Sequence, residues 1–158
     1  MKKPASNLDH KTPRRLPPLL RRAWYALNQT FRRRIAHLGI TPDQFTTLRW
    51  LVEGDPRGLT QRQITDLMAA DANTIASIVA RMEKAGLLAR ATHETDRRAH
   101  RTRITAKGQQ TFSKAKQVAI ELQNEVLETL PSGRRDVFLT QLELVADACQ
   151  EALEKTKR

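Results

Sequence analysis

The stretch TQRQITDLMAADANTIASIVARMEK, residues 60–84, decides the fold. Thr60 followed three residues later by Gln63 is a capping-box pattern, which predicts the start of a short helix. After a short break, Asp71 or a neighbouring residue can cap a second helix. Gly86 ends that helix, and the apolar side chains between recur on one side of it, at Ile75, Ile78, Val79 and Met82. Two short helices separated by a tight break predict a helix-turn-helix.

The outward face of the second helix is short and polar. Small polar groups and a guanidinium suit the edges of bases and the phosphates, and a helix N-terminus with free amides attracts phosphate oxygens. The alternative interpretation is the solvated face of an ordinary surface helix. The candidate DNA-binding side chains on this face are Asn73, Thr74, Ser77 and Arg81.

A basic hairpin is predicted directly after this helix. Residues 87–92 and 101–104 are short strand candidates, joined by the polar tip ETDRRAH at residues 94–100. Arginine in a narrow minor groove meets an enhanced negative potential, so a basic tip gives the module a second contact with DNA. Asp96 is the exception, and we hypothesise that it pairs with a neighbouring arginine and fixes its direction. The basic side chains around the tip are Arg90, Arg97, Arg98, Arg101, Arg103 and Lys107.

Helices are predicted on both sides of this module. Residues 1–17 are basic and contain three prolines, which fits a mobile tail. A first helix follows, with apolar residues at helical spacing up to Gly39, and a capping box of Thr41 and Gln44 begins the next. Thr105 caps a long fifth helix, and a last helix carries an apolar stripe that includes Cys149.

Composition excludes several classes of protein. The chain has 158 residues, 39% of them hydrophobic, and one cysteine, which argues against a disulfide framework and a cysteine-based zinc site. No apolar run approaches the roughly 18 residues of a membrane span. The net charge is +11, which makes an anionic partner the first hypothesis. Residues 120–158 carry five basic and eight acidic side chains, so the C-terminal quarter is not expected to contact a polyanion.

Residues 60–108 resemble the winged helix-turn-helix of the MarR family of bacterial transcriptional regulators. The resemblance is carried by IASIVARMEKAGLL at residues 75–88, by Asp96-Arg97-Arg98, and by ITAKG at residues 104–108. It extends over roughly residues 18–155, since the order of the flanking helices also fits. It implies a mainly α fold with a small β-hairpin wing, in which residues 41–105 form the winged helix-turn-helix and residues 18–40 and 106–155 supply long dimerisation helices.

The same resemblance implies a cytoplasmic homodimer that binds double-stranded DNA at a pseudo-palindromic operator. Arg98 matches the wing arginine that enters the minor groove, and Asp96 matches the acidic residue that orients the wing. Asn73, Thr74, Ser77 and Arg81 fall where the family reads the major groove. Arg97, Arg101 and Arg103 are expected to contact the DNA backbone.

Many relatives release DNA when a small aromatic or anionic effector enters a cleft beside the dimerisation helices. The residues that could line such a cleft here include Trp24, Asn28, Arg49 and Trp50. For Trp24 and Trp50 the competing interpretation is packing in the core, which is the usual place of an aromatic side chain at helical spacing. Cys149 lies on an apolar stripe and is expected to be inert.

The function predicted is therefore that of a transcriptional repressor without cofactor, metal or membrane partner. No phosphate loop, nucleophile elbow or HExxH motif points to an enzyme. His93 and His100 flank the tip near Glu94 and Asp96, but their spacing does not support a metal site. The rival function is a non-specific architectural DNA- or RNA-binding protein. Membrane docking by the arginines of the first helix is weaker, because they flank a stripe that is expected to be buried.

Overall fold

The computed structural model describes residues 14–92 and 100–156. The chain divides into two compact units, Met1–Ala115 and Lys116–Arg158. A 3₁₀ turn over Ala36–Leu38 separates the first two helices. The helices and strands, in chain order, are α1 Leu16–Ile35, α2 Pro42–Glu53, β1 Leu59–Thr60, α3 Gln61–Met68, α4 Ala72–Lys84, β2 Leu88–Thr92, β3 His100–Ile104, α5 Ala106–Leu127 and α6 Arg135–Lys155.

Local capping fixes where α2 and α3 begin, and both predicted capping boxes are confirmed. The Gln44 amide donates to Thr41 Oγ1 at 3.3 Å, and the Thr41 amide donates to Gln44 Oε1 at 2.9 Å. The Gln63 amide donates to Thr60 Oγ1 at 3.2 Å, and the Thr60 amide donates to Gln63 Oε1 at 2.8 Å. Each box satisfies two amides that the first turn of a helix leaves without a partner.

The core of the first unit joins α2, α3 and α4. An aromatic cluster extends it, because the Phe45 ring lies 5.0 Å from that of Phe31 and 5.5 Å from that of Phe112, centroid to centroid. Aromatic pairs at such distances add to the burial of apolar area. The apolar side chains with no exposed surface in this unit are Ile35, Leu48, Ile64, Ile75, Met82 and Ala115.

A three-stranded antiparallel sheet lies beside the helix-turn-helix, in the order β1-β3-β2. The hairpin of β2 and β3 was predicted, and its register pairs Leu88 with Ile104. The two-residue strand β1 was not predicted; it pairs Leu59 with Thr102 and makes β3 the central strand. The predicted mainly α fold with a small hairpin is confirmed.

The hairpin is tied to the end of α4 through the first turn of α5. Thr105 Oγ1 donates to the Gly86 carbonyl at 2.7 Å and accepts the Gly108 amide at 3.0 Å. Lys107 Nζ donates to the Ala85 carbonyl at 2.7 Å, a favourable place for a cation because carbonyls at the end of a helix carry partial negative charge. The sequence places Lys107 among the basic side chains around the hairpin tip. In the structure its ammonium group is instead hydrogen-bonded to the end of α4.

α1 begins earlier and ends earlier than the apolar spacing predicts. It starts at Leu16, so Pro17 and Pro18 lie in its first turn, where a proline costs no helical hydrogen bond. It ends at Ile35, and the chain then turns through Ala36–Leu38 to Gly39, whose φ of 70° lies in the left-handed region.

The second unit contains the rest of α5 and all of α6. No residue of α6 is buried, and Cys149 is exposed, so the apolar stripe of this helix is not covered within one chain. An isolated helix with this much exposed apolar surface marks an interaction face. The large apolar side chains exposed on α6 are Val137, Phe138, Leu139, Leu142, Leu144 and Leu153.

Candidate nucleic-acid interface

The second helix of the helix-turn-helix, α4, presents one buried and one exposed face. Asp71 caps it as predicted, because the Asp71 carboxylate accepts the Thr74 amide at 2.9 Å. The Thr74 hydroxyl and amide, in that order, lower the pKa of Asp71, so its carboxylate is charged at neutral pH. The Thr74 amide is therefore already used by the protein and is not available to a DNA phosphate. The buried side chains of α4 are Ile75, Ile78, Val79 and Met82.

All four predicted base-reading residues are exposed and lie on α4. Asn73, Ser77 and Arg81 follow each other at four-residue steps, so they share one face of the helix. Arg81 Nε donates to the Ser77 carbonyl at 3.2 Å, which holds the guanidinium along the helix. The Thr74 hydroxyl donates to Asp71 Oδ2 at 2.5 Å and is thus engaged before any DNA is bound.

The tip of the hairpin lies outside the described residues, and with it the predicted contacts Asp96, Arg97 and Arg98. The two strands that carry the tip are described as far as Thr92 and from His100. They pair along five residues, from Leu88 opposite Ile104 to Thr92 opposite His100.

Arg101 was predicted to contact the DNA backbone, and the structure places its side chain inside the protein. Arg101 is 8% exposed, and its Nη1 donates to the Gly58 carbonyl at 2.7 Å. The same nitrogen lies 3.7 Å from Asp55 Oδ2. The physical reason is that β1 and the loop before it cover this side of the central strand.

Two further arginines of the hairpin strands are bound to protein groups. Arg103 Nε donates to the Arg57 carbonyl at 2.7 Å. Arg90 Nε donates to Glu83 Oε1 at 2.7 Å, and this carboxylate raises the pKa of Arg90. Counting basic residues around the hairpin in the sequence therefore overstates the charge that is free to meet DNA.

The residues proposed for an effector site lie on α1 and α2 in the first unit. Trp24 is 65% exposed, so packing in the core of one chain does not account for it. Trp50 and Asn28 are half-buried, and Arg49 is exposed. The Arg49 guanidinium carbon lies 5.0 Å from the centre of the Phe45 ring, which is cation-π distance.

Two remaining features are candidate metal ligands and candidate membrane-spanning helices. Among residues 14–92 and 100–156 there is no group of three metal-ligating side chains. His93, Glu94 and Asp96 lie outside these ranges. Within the same ranges no helix is long and apolar enough to cross a membrane.

A capped helix with an exposed polar face, next to an antiparallel hairpin, defines a winged helix-turn-helix DNA-binding protein. The family model described as MarR family matches residues 38–99. The HTH-type transcriptional regulator BilQ of Clostridium symbiosum is 30% identical over 90 residues, which are 57% of this chain and 62% of BilQ.

Solved structures share the fold over most of the chain. The MepR–DNA complex of S. aureus matches with a TM-score of 0.77 and 18% identity, over 86% of this chain and 99% of that one. CouR from Rhodococcus jostii RHA1, bound to p-coumaroyl-CoA, matches with a TM-score of 0.73 and 21% identity, over 83% and 88%. The chain is therefore similar to MarR-family transcriptional regulators, in sequence over residues 38–99 and in fold over most of its length.

Proposed function

We propose that the protein is a homodimeric repressor that recognises a pseudo-palindromic DNA site by sequence and leaves it when a small aromatic or anionic effector binds. The observation that carries the DNA-binding part is the exposed polar face of α4 beside the β2–β3 hairpin. A helix of this width fits the major groove, and a basic hairpin next to it reaches the adjoining minor groove.

On α4, Asn73 and Ser77 are the residues that read bases. An asparagine amide can both donate to and accept from an adenine edge, and a serine hydroxyl serves either role. Thr74, whose hydroxyl is held by Asp71, contacts DNA through its methyl group. Arg81 neutralises a phosphate or donates to a guanine.

At the hairpin tip, Arg98 enters the minor groove and Asp96 fixes its direction through a charge-assisted hydrogen bond. Arg97 contacts the backbone. This assignment carries the MarR pattern onto the matching positions of this chain.

Dimerisation is supported by the apolar surface of the terminal helices. Nothing on α6 is buried in the single chain, and α1 exposes Leu20, Trp24 and Leu27. A second copy of the chain would remove this surface from water, at roughly 25 cal/mol for each Å² of apolar area. A dimer also matches a pseudo-palindromic site, because the two half-sites then meet identical modules.

Effector release is supported by the similarity to CouR, whose structure holds p-coumaroyl-CoA. The candidate residues combine two indoles, an amide and a guanidinium on α1 and α2. An aromatic acid or its thioester offers a ring to stack and an anion to bind, which suits this set. The residues that we assign to the effector site are Trp24, Asn28, Arg49 and Trp50.

The experiment for DNA binding compares duplexes from the region upstream of the gene with scrambled duplexes of equal composition, by fluorescence anisotropy at several salt concentrations. We expect a preference of at least about a thousandfold for one upstream duplex. Asn73→Ala should weaken that duplex by about 1 to 3 kcal/mol and leave the scrambled one unchanged. Arg81→Ala should also weaken binding to the preferred duplex. Lys114→Ala, which removes an exposed charge from α5, is its control. Equal affinity for all duplexes would contradict sequence-specific binding and support the alternative function, a non-specific architectural DNA-binding protein.

The effector part is tested by adding p-coumaroyl-CoA, 4-hydroxybenzoate and salicylate to the protein–DNA complex. We expect tryptophan fluorescence to change at the same concentration at which the duplex is released, and Arg49→Ala to raise that concentration. Release by none of a broad panel of aromatic acids and thioesters would remove the effector from the proposal and leave DNA binding in place.

A further inference from the structure

The loop between α2 and β1, residues 55–58, is a closed turn that carries its own arginine. The Asp55 carboxylate accepts the Arg57 amide at 2.8 Å and Arg57 Nη2 at 2.7 Å. The Gly58 amide donates back to the Asp55 carbonyl at 2.8 Å. Within this turn, the Arg57 and Gly58 carbonyls accept hydrogen bonds from the hairpin.

Two arginines of β3 donate hydrogen bonds to these carbonyls. Arg101 Nη1 donates to the Gly58 carbonyl, and Arg103 Nε donates to the Arg57 carbonyl, each at 2.7 Å. The two arginines are two residues apart on one strand, so they reach in the same direction. We call this set, residues 55–58 with Arg101 and Arg103, the hairpin clamp.

The loop also lies in direct contact with the strand. A Cβ built on Gly58 would stand 2.5 Å from the Thr102 carbonyl oxygen, closer than real Cβ atoms come. Only a glycine lets the two backbones approach this far. The clamp therefore joins the loop to β3 by packing as well as by hydrogen bonds.

To reach a phosphate, the Arg101 side chain would have to leave its contacts with the Gly58 carbonyl and Asp55. Its side chain is 9% exposed, and its backbone is paired with Thr60 of β1 and Ala91 of β2. A guanidinium removed from water is tolerated when a carbonyl and a carboxylate face it, as Gly58 and Asp55 do, and is costly when either is lost.

The other edge of the hairpin is held less firmly. Arg90 of β2 pairs with Glu83 of α4, but the Arg90 side chain is 56% exposed. Exposed ion pairs contribute little, typically about 0 to 1 kcal/mol, whereas buried charge-assisted hydrogen bonds contribute more. Together with the Thr105 and Lys107 contacts at the start of α5, the clamp therefore does more than this ion pair to fix the direction of the hairpin root.

We propose that Asp55 and Arg101 are positioning residues for DNA binding: they hold the root of the β2–β3 hairpin on the loop before β1, and so fix the direction in which the hairpin leaves the helix-turn-helix. The inference rests on the proposed function, since this direction matters only when α4 and the hairpin contact one duplex together. It predicts that Arg101 acts through geometry, not through its charge on DNA.

The decisive variant is Asp55→Asn, because the two explanations predict opposite signs. Removing a negative charge strengthens or preserves binding to a polyanion if charge alone counts. Loosening the clamp should instead weaken the preferred duplex about tenfold, the change typical of a lost charge-assisted hydrogen bond, and leave the scrambled duplex unchanged. Asp66→Asn, which removes the same charge from the exposed face of α3, is the matched control and should not weaken binding.

Arg101→Lys separates geometry from charge in a second way. It keeps the positive charge but cannot present the planar fork of a guanidinium. We expect it to weaken the preferred duplex about as much as Asp55→Asn, to leave the salt dependence of binding unchanged, and to add little when combined with Asp55→Asn. Full binding by Arg101→Lys, together with a shallower salt dependence of Arg101→Gln, would make Arg101 a phosphate contact and overturn the proposal.

A measurement without DNA keeps the proposal apart from the proposed function. In a ¹⁵N spectrum of the wild-type protein, the Arg101 guanidinium should rotate slowly and give separate resonances, and Asp55→Asn should average them. A freely rotating Arg101 in the wild type would refute the clamp even if the protein binds its operator. A wild type with no preferred duplex would refute the proposed function, and the guanidinium spectrum would still decide the clamp.

Discussion

Replacing Gly58 with alanine should destabilise the protein more than the same change at Gly39, and the structure explains the difference. Both glycines have positive φ, 95° at Gly58 and 70° at Gly39, so each alanine has a conformational cost of about 1 to 2 kcal/mol. A Cβ at Gly39 meets nothing within 4 Å. At Gly58 it would stand 2.5 Å from the Thr102 carbonyl oxygen and 2.8 Å from Arg103 Cγ, and overpacking of this kind adds about 1 to 3 kcal/mol.

Urea unfolding followed by circular dichroism, at one fixed protein concentration, measures both losses. The concentration must be held constant because association would add to the apparent stability. Gly39→Ala is the control for backbone strain, so the excess loss in Gly58→Ala reports the contact between the loop and β3. Gly58→Ala should also weaken binding to the preferred duplex, because it displaces the Gly58 carbonyl that accepts a hydrogen bond from Arg101. Equal losses of stability in the two variants would refute the close approach of loop and strand.

Three further predictions follow from the core, the tip and the charges. Ile75→Ala removes a fully buried side chain from the inner face of α4 and should cost about 2 to 5 kcal/mol of unfolding free energy, measured by the same urea titration. Arg98→Ala should cost about 1 to 3 kcal/mol on the preferred duplex in anisotropy titrations, and equal losses on scrambled DNA would defeat its assignment to the minor groove. The Arg57 side chain, followed by its amide, lowers the pKa of Asp55 to about 2, so ionised Asp55 stabilises the fold above about pH 4 and that contribution disappears as the pH falls through 2. The wild type should therefore lose more stability than Asp55→Asn between pH 5 and 2, and parallel acid titrations of the two would contradict the interaction.

Sequence alone predicted those features whose causes lie within a few residues. The capping boxes of α2 and α3 depend on groups three residues apart, and the buried face of α4 depends on helical periodicity. The strand β1 was missed because two residues, Leu59 and Thr60, are too short to show a periodicity. Its existence depends on β3, which lies far along the chain.

The inward direction of Arg101 was missed for the same reason. Its partner, the Gly58 carbonyl, is 43 residues away in the sequence, and no local sequence pattern around either residue predicts the contact. Trp24 shows the converse: the apolar spacing of α1 is regular, but a regular stripe does not reveal whether its own chain or another molecule covers it. In the single chain, Trp24 is 65% exposed.

The basic residues of the hairpin show why net charge is a weak guide to a DNA interface. Four of them, Arg90, Arg101, Arg103 and Lys107, donate to carboxylate or carbonyl groups of the protein. Such contacts fix the strands and their junction with α4, so under the proposed function the tip residues rather than these four would meet the duplex. Under the proposed clamp, sequence preference would depend on how rigidly the hairpin root is held, since an arginine that reaches the wrong depth or angle still adds electrostatic attraction but no discrimination. In this protein, part of the positive charge would serve affinity directly, and part would serve specificity through the shape it maintains.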